Sequence, residues 1–191
     1  MSGSSLHAAR TSESHPLRIA TVPVGKAGGA VGITFAPGKH QGNPISGLPW
    51  ARTLDADIRA IVKWGASDLI SLIEPHEFTE LRIPSLPDQA RAAGLHWYGL
   101  PITDGCAPDD RFLDAWATLG PSLAQGLVTG RRVVVHCKGG LGRAGTVACM
   151  LLIGSGAVQT AEDAISLVRS VRPGAIETLE QERFLKKLRG P

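Results

Sequence analysis

Cysteine is scarce in this sequence, and long apolar runs are missing. Three cysteines occur among 191 residues, at positions 106, 137 and 149. Such wide spacing provides neither a disulfide framework nor the paired ligands of a metal site. No apolar run is long enough to cross a bilayer, and the N-terminus lacks the apolar core of a signal peptide. We therefore expect a cytoplasmic, reducing location and no membrane span.

The sequence also lacks a strong excess of charge of one sign. The formal net charge is +3, and no dense tract of Lys and Arg stands out, so nucleic-acid binding is not expected. With 43% hydrophobic and 19% charged residues, the composition is typical of a compact domain. Residues 1–16 are rich in Ser and His without apolar periodicity. This predicts a disordered leader, followed by a single domain over residues 17–191.

Strand-like and helix-like segments alternate along the rest of the chain. Short apolar segments bounded by turns predict strands, and apolar residues at helical spacing predict helices. Such alternation is typical of an α/β fold with a mostly parallel central sheet flanked by helices. The predicted strands are residues 18–24, 30–36, 68–73, 96–102 and 132–136. The predicted helices are residues 54–64, 111–127 (with a bend or interruption at Pro121), about 144–153, 161–171 and 179–188, with short helical pieces between 84 and 94.

One run, over residues 133–143, carries the chemistry. It predicts a strand, then a glycine-rich loop that opens with Cys137 and ends with Arg143, then a helix. The N–H groups of such a loop, together with the helix dipole, form a cradle for an oxyanion such as phosphate. That setting favours the thiolate form of a cysteine, and a planar guanidinium matches two phosphate oxygens at once. The loop thus combines a nucleophile, an anion hole and a charge clamp, which indicates phosphoryl transfer through a cysteine.

This run resembles the signature of the protein tyrosine and dual-specificity phosphatases, in which His-Cys, five residues and Arg follow one another. The string over residues 136–145 is most similar to the kinase-associated phosphatase branch and its bacterial relatives. Further segments resemble loops of that branch: residues 71–78 its loop after an early strand, residues 101–109 its general-acid loop, and residues 172–181 its late active-site loop. The resemblance covers about residues 19–188. It implies the cysteine-phosphatase fold, with the phosphate-binding loop between a strand and a helix.

The resemblance also implies catalytic roles. Cys137 is the expected nucleophile, and Arg143 is the expected phosphate clamp. Asp104 is the expected general acid, because an alkoxide or phenoxide leaves slowly unless its oxygen is protonated; Asp109 and Asp110 compete for this role, although they look more like an N-cap of the next helix. Phosphate is expected to be held by the loop residues Lys138, Gly139, Gly140, Leu141, Gly142 and Arg143.

Supporting residues are expected around this loop. His136 is expected to lie partly buried under the loop and to hold it by hydrogen bonds. Gln181 either orients the water that hydrolyses the phosphocysteine or is a solvent-facing helix residue. Lys138 either attracts acidic substrates or points away from the pocket. Three further residues are expected to line the substrate approach: Glu74, His76 and Phe78.

Ala144 departs from the pattern of the resembled family. Many members of the wider family carry Ser or Thr at this position, immediately after the arginine, where the hydroxyl stabilises the departing thiolate. Thr146 lies nearly a turn away, so we expect slower breakdown of the intermediate. Of the other cysteines, Cys106 either forms a reversible disulfide with Cys137 or is a bystander thiol, and Cys149 is expected in the core.

These features predict a phosphomonoester hydrolase that acts through a phosphocysteine and needs no metal or organic cofactor. Tyr98 is the only tyrosine, and no loop builds a deep aromatic slot. We therefore expect a shallow cleft of dual specificity, for phosphotyrosine and phosphoserine or phosphothreonine in a phosphorylated protein, a kinase being one candidate. Open alternatives are a phosphoinositide, an inositol phosphate or an RNA 5′-triphosphate as substrate, a phospho-residue binding module without turnover, and rhodanese-type sulfur transfer. The oligomeric state is not predicted.

Overall fold

The computed structural model describes residues 9–44 and 47–188. Strands and helices alternate along this part of the chain. The strands are β1 (Ala20–Val24), β2 (Gly29–Phe35), β3 (His40–Gln41), β4 (Trp50–Ala51), β5 (Asp68–Ser71), β6 (His96–Gly99) and β7 (Arg132–Cys137). The helices are α1 (Leu54–Lys63), α2 (Pro75–Glu80), α3 (Leu86–Ala92), α4 (Asp110–Val128), α5 (Gly142–Gly154), α6 (Ala161–Val171) and α7 (Leu179–Lys187).

Five strands form the central sheet, in the order β1-β2-β7-β5-β6. β1 is antiparallel to β2, and the other neighbouring pairs are parallel. β7 lies in the centre, and its Val133, Val134 and Val135 are fully buried, as is typical of a parallel strand covered on both faces. The prediction of a mostly parallel sheet flanked by helices is confirmed. Because β5, β6 and β7 are parallel, the segments that follow them meet at one edge of the sheet.

Several boundaries differ from the predicted ones. α5 begins at Gly142, two residues before its predicted start, so that Arg143 lies in its first turn. β5 ends at Ser71 and β6 at Gly99, ahead of the predicted ends at residues 73 and 102. α4 continues through Pro121. A proline removes one main-chain hydrogen bond, but the helix is held against the core by the buried side chains of Phe112, Leu123 and Leu127.

Order begins earlier in the chain than the sequence predicts, before residue 17. The expected disordered leader is wrong for residues 9–16, while residues 1–8 lie outside the described residues. Arg10 N–H donates to the Pro49 carbonyl oxygen at 2.8 Å, and the Arg10 guanidinium lies 3.7 Å from the centre of the Trp50 ring. Arg52 Nη1 donates to the His15 carbonyl oxygen at 2.6 Å. Apolar periodicity missed this segment because main-chain and cation–π contacts hold it.

Two apolar clusters pack on the central sheet. One contains most of α5 together with side chains of α4 and α6, and the other lies under α1 and α3. Cys149 lies in the first cluster, as expected, and burial raises the pKa of its thiol to about 12. Among the described residues, no helix combines the length and apolar character needed to cross a membrane.

Candidate active site

The loop between β7 and α5 places Cys137 at the bottom of a pocket. Cys137 is 3% exposed, and its Sγ accepts a hydrogen bond from Gly140 N–H at 3.2 Å. The structure therefore brings the predicted nucleophile and the predicted loop together.

Gly140 is the residue on which the shape of this loop depends. Its φ is +67°, and a Cβ atom there would lie 2.4 Å from the main-chain carbon of Thr34 in β2. Only glycine fits a backbone that approaches another strand so closely. By contrast, a Cβ on Gly139 would meet nothing within 4 Å.

Arg172 fixes the peptide groups of the loop. Its Nη2 donates to the Gly139 carbonyl oxygen at 3.0 Å, and its Nε donates to the Gly140 carbonyl oxygen at 2.9 Å. In a trans peptide the C=O and N–H groups point in opposite directions. Bonding the Gly139 carbonyl to Arg172 therefore holds the Gly140 N–H toward Cys137 Sγ.

Arg143 is held rigidly in place by Glu77. Nη1 and Nη2 donate to the two carboxylate oxygens of Glu77 at 2.6 and 2.9 Å, and Nη1 also donates to the Ile102 carbonyl oxygen at 3.1 Å. The arginine is 1% exposed, and its buried Nε has no hydrogen-bond partner among the described residues. A buried unpaired donor is costly. A phosphate oxygen in the pocket would satisfy it.

The Arg143–Glu77 pair is charged on both sides. Burial disfavours the charge of each group, but the mutual hydrogen bonds outweigh burial, so the pKa of Glu77 is lowered and the pKa of Arg143 is raised. Glu77 also accepts from Glu74 N–H at 2.8 Å, in a capping box at the start of α2. No role was predicted for Glu77 from the sequence, although Glu at the third position after a capping residue is a recognisable signal.

Asp104 lies at the mouth of the pocket. Its side chain is 72% exposed, and its Oδ1 lies 3.0 Å from Arg143 Nη2. The competing Asp109 caps α4, where its Oδ1 accepts from Phe112 N–H at 3.0 Å, and Asp110 is the first residue of that helix. Both competitors thus have the structural positions expected of an N-cap region. The general-acid role of Asp104 stays a prediction.

His136 is more deeply buried than expected, at 0% exposure rather than partly buried. Its Nε2 lies 2.6 Å from Ser71 Oγ, which accepts from Trp97 Nε1 at 2.8 Å. Nδ1 of the same ring lies 3.4 Å from the Cys137 carbonyl oxygen. Burial lowers the pKa of His136 to about 4. The side chain is thus neutral and supports the loop from below.

Of the two roles expected for Gln181, that of a solvent-facing helix residue is wrong, and that of orienting the water stays a prediction. It is fully buried rather than solvent-facing. Its Oε1 accepts from Glu177 N–H at 2.9 Å, and its Nε2 donates to the Cys106 carbonyl oxygen at 3.2 Å. The amide caps α7 in a reciprocal pair with Thr178, so its oxygen is occupied. Glu177, which the sequence analysis gave no role, lines the pocket instead, and its Oε2 accepts from Gly142 N–H at 2.8 Å.

The pocket has a volume of about 390 Å³. None of the three residues expected to line the approach belongs to its wall. Glu74 caps α2, His76 lies near Glu80, and Phe78 packs edge-on against Trp97. The wall is formed by Arg10, Lys39, Gln41, Pro44, Trp50, Asp104, Cys137, Lys138, Gly139, Leu141 and Glu177.

Lysines contribute two of these wall residues. Lys138 lies on the wall, and its Nζ is 3.5 Å from Glu80 Oε2. Lys39 was missed by the sequence analysis, because it comes from the turn after β2, far from the loop in sequence. Burial is the main cause that lowers the pKa of Lys39 to about 8.

The position after the arginine provides no hydroxyl. Ala144 is fully buried, and the nearby Thr146 Oγ1 donates to the Gly142 carbonyl oxygen at 2.8 Å within its own helix. Thr146 is therefore not a substitute for the missing hydroxyl. Cys106, Cys137 and Cys149 are all free thiols, and the reversible disulfide stays a prediction.

Comparison with known proteins identifies the family. A family model described as a Swiss Army Knife protein, DSP-PTPase phosphatase domain, matches residues 52–185. The chain belongs to this phosphatase family. The resemblance inferred from the Cys137 loop is thereby confirmed.

Individual known proteins are similar to this chain over most of its length. Cyclin-dependent kinase inhibitor 3 of Mus musculus is 32% identical over 139 residues, which is 72% of this chain and 64% of that protein. Protein tyrosine phosphatase type IVA 3 of Homo sapiens is 32% identical over 151 residues, 79% of this chain and 80% of that protein. A crystal structure of kinase associated phosphatase, with its catalytic cysteine replaced by serine, matches with a TM-score of 0.75 at 26% identity, covering 89% of this chain and 92% of that one.

Proposed function

We propose that this protein is a phosphomonoester hydrolase that acts through a phosphocysteine, and that it is a protein phosphatase of dual specificity. One observation carries the proposal: the loop that holds the buried Cys137 Sγ also holds the fixed Arg143, whose Nε has no hydrogen-bond partner among the described residues, and the N–H groups of this loop suit an oxyanion. Relatives named as a cyclin-dependent kinase inhibitor and as a protein tyrosine phosphatase support a phosphorylated protein as substrate, with a kinase as one candidate. A cytoplasmic location belongs to the proposal, because the thiol must stay reduced.

In the first step, the Cys137 thiolate attacks phosphorus in line with the leaving oxygen. An S–P bond forms as the P–O bond breaks, and Asp104 donates its proton to the leaving oxygen. The loop N–H groups and Arg143 Nε hold the other phosphate oxygens during this transfer. Because Asp104 lies 3.0 Å from Arg143 Nη2 in the free protein, a bound phosphate competes with this carboxylate for the guanidinium.

In the second step, water attacks the phosphocysteine and the Cys137 thiolate leaves. Asp104 takes the proton of the water, and phosphate is released. Glu177, bonded to Gly142 N–H at the wall of the pocket, is better placed than Gln181 to orient this water. No hydroxyl at position 144 stabilises the leaving thiolate, so we expect this step to limit turnover.

The test is phosphate release from phosphotyrosine and phosphothreonine peptides in the presence of a chelator. The wild-type protein is compared with Cys137→Ser and with Cys106→Ser, which removes a thiol outside the pocket wall. We expect release from both peptides by the wild type and by Cys106→Ser, and none by Cys137→Ser. Binding of the peptides by a well-folded wild type without release would instead favour the binding module, and sensitivity to the chelator would contradict the cofactor-free mechanism.

A further inference from the structure

Lys39 is a buried cation in the wall of the catalytic pocket. It is 5% exposed, and its Nζ donates to the Lys138 carbonyl oxygen at 3.2 Å. The same Nζ lies 4.7 Å from the centre of the Phe35 ring and 4.8 Å from that of Trp50. Among the ion pairs of the described residues, none includes Lys39. Buried charges in proteins are usually paired, so this lysine indicates an anion that enters the pocket.

The surroundings of Lys39 carry an excess of positive charge. Burial and the nearby guanidinium groups of Arg10, Arg52 and Arg172 lower its pKa, while Cys137 acts in the opposite direction. Arg52 is neutralised by Asp57, at 2.7 Å. Arg172 and Lys39 have like charges near one another, which an anion would stabilise.

The carboxylates of the pocket wall are bonded elsewhere. Asp104 lies 3.0 Å from Arg143 Nη2, and Glu177 accepts from Gly142 N–H at 2.8 Å. The wall is therefore divided by charge, with carboxylates beside Arg143 and α5 and cations beside the turn after β2. The scissile phosphate has its own donors in the loop and in Arg143 Nε, and Lys39 comes from a different element.

A polar groove extends the pocket beyond Lys39. It has a volume of about 480 Å³, and it shares Gln41, Trp50 and Lys138 with the pocket before it continues past His40 and Arg82. A continuous cleft of this kind suits several residues of an extended peptide better than a compact headgroup. Its cationic residues Arg82 and Lys138, set against the carboxylate of Glu80, favour an acidic chain.

We propose that Lys39, beside Arg10 and Trp50, forms a second anion subsite that binds a carboxylate or phosphoryl group of a phosphopeptide, next to the residue whose phosphate is removed. This proposal rests on the proposed phosphatase function and names the class of substrate: an acidic or doubly phosphorylated phosphopeptide. The two phosphate-binding positions are distinct, since one lies in the loop after β7 and the other lies at the turn after β2. Lys39 thereby determines specificity.

The experiment compares two phosphopeptides that differ only in the residue beside the phosphorylated one, neutral in one peptide and acidic or phosphorylated in the other. The measured quantity is the ratio of their kcat/KM values. We expect a ratio of about ten or more for the wild type, because a charge-assisted contact of a buried cation typically has such an effect. Lys39→Met should bring the ratio close to one. Lys26→Met, which removes an exposed lysine from the β1–β2 turn, should keep the wild-type ratio.

Two further measurements keep the proposal testable if Lys39→Met folds poorly. The wild-type ratio should fall as the pH rises through about 8, where Lys39 loses its charge. In Lys39→Arg, which keeps its charge, the ratio should persist through that range. A wild-type ratio near one overturns the subsite. An equal loss for both peptides in Lys39→Met also overturns it, because Lys39 then acts on the thiolate or the scissile phosphate.

A further comparison distinguishes a phosphopeptide from an inositol phosphate headgroup as the occupant of the subsite. A soluble inositol bisphosphate that is hydrolysed with a higher kcat/KM than the acidic peptide, and that loses this advantage in Lys39→Met, would overturn the phosphopeptide as occupant. Absence of phosphate release from any substrate, aryl phosphate included, would contradict the proposed function itself rather than the subsite alone.

Discussion

Replacing Glu77 with glutamine tests how the protein holds its phosphate clamp. Glu77 accepts two hydrogen bonds from Arg143, at 2.6 and 2.9 Å, and the side chains are 4% and 1% exposed. Glutamine keeps the size of the side chain but leaves the buried guanidinium without its counter-charge. Breaking a buried pair from one side costs about 3–5 kcal/mol.

In a chain of this length, each kcal/mol lowers the melting temperature by about 2–4 °C. We therefore expect Glu77→Gln to melt about 6–20 °C below the wild type by differential scanning calorimetry. Because Arg143 then loses its fixed orientation, we expect kcat/KM for an aryl phosphate to fall by about 10²-fold, as small misplacements of a positioning group do.

The pH dependence of this effect has a definite sign. The pKa of Glu77 is lowered from 4.5, so its stabilising contribution is present above that value and is lost as the pH falls through the folded pKa. The melting temperatures of wild type and Glu77→Gln should therefore approach each other in acid.

A matched control is Asp88→Asn, which removes the carboxylate of an exposed ion pair with Arg91. We expect its melting temperature and activity to stay close to those of the wild type, because such pairs contribute about 0–1 kcal/mol. A Glu77→Gln variant that melts and turns over like Asp88→Asn would refute the role given to the buried pair.

Three further predictions concern the loop and its surroundings. Gly140→Ala should lower the melting temperature and weaken phosphate binding in calorimetric titration, whereas Gly139→Ala should melt like the wild type, because only the former Cβ meets β2. The wild type should lose stability as the pH falls from 6.5 to about 4, because in that range His136 takes up a proton only in the unfolded state. In thermal unfolding measured across this pH range, His136→Asn should not show this loss of stability. Asp104→Asn should lower kcat/KM, which reports the first step, by about 10²–10⁴-fold for alkyl phosphates, and much less for nitrophenyl phosphate, because nitrophenolate leaves without a proton.

Each of these predictions has an outcome that contradicts it. Equal melting temperatures for the two glycine variants would mean that β2 yields to the added methyl group. If the melting temperatures of wild type and His136→Asn changed with pH in the same way, the imidazole would not be held neutral in the folded protein. If Asp104→Asn lowered kcat/KM equally for alkyl phosphates and nitrophenyl phosphate, this would contradict the role of Asp104 as the acid.

The loop itself was predictable because its parts are adjacent in sequence. Cys137, Gly140 and Arg143 follow one strand directly, so the strand–loop–helix pattern alone brings them together. The fold class was predictable for a similar reason, since alternation of strand and helix segments implies a parallel sheet.

The partners of the loop were not predictable in the same way. Glu77 lies 66 residues before Arg143, and Lys39 lies 99 residues before Lys138; no local pattern indicates that such residues meet. Gln181 and Glu177 are four residues apart, and which of them enters the pocket is decided by the capping box of α7. Residues 9–16 are held by main-chain and cation–π contacts, which leave no periodic signal.

The central claim is that catalysis passes through a phosphate bonded to Cys137. It is tested most directly by mixing the protein with an aryl phosphate, quenching with denaturant at alkaline pH within the first turnover, and analysing the digested peptides by mass spectrometry. We expect one phosphoryl group on the peptide that contains Cys137, with a burst of aryl alcohol, because the missing hydroxyl at Ala144 slows the second step. Release of phosphate without this modified peptide, or by Cys137→Ser, would contradict the account.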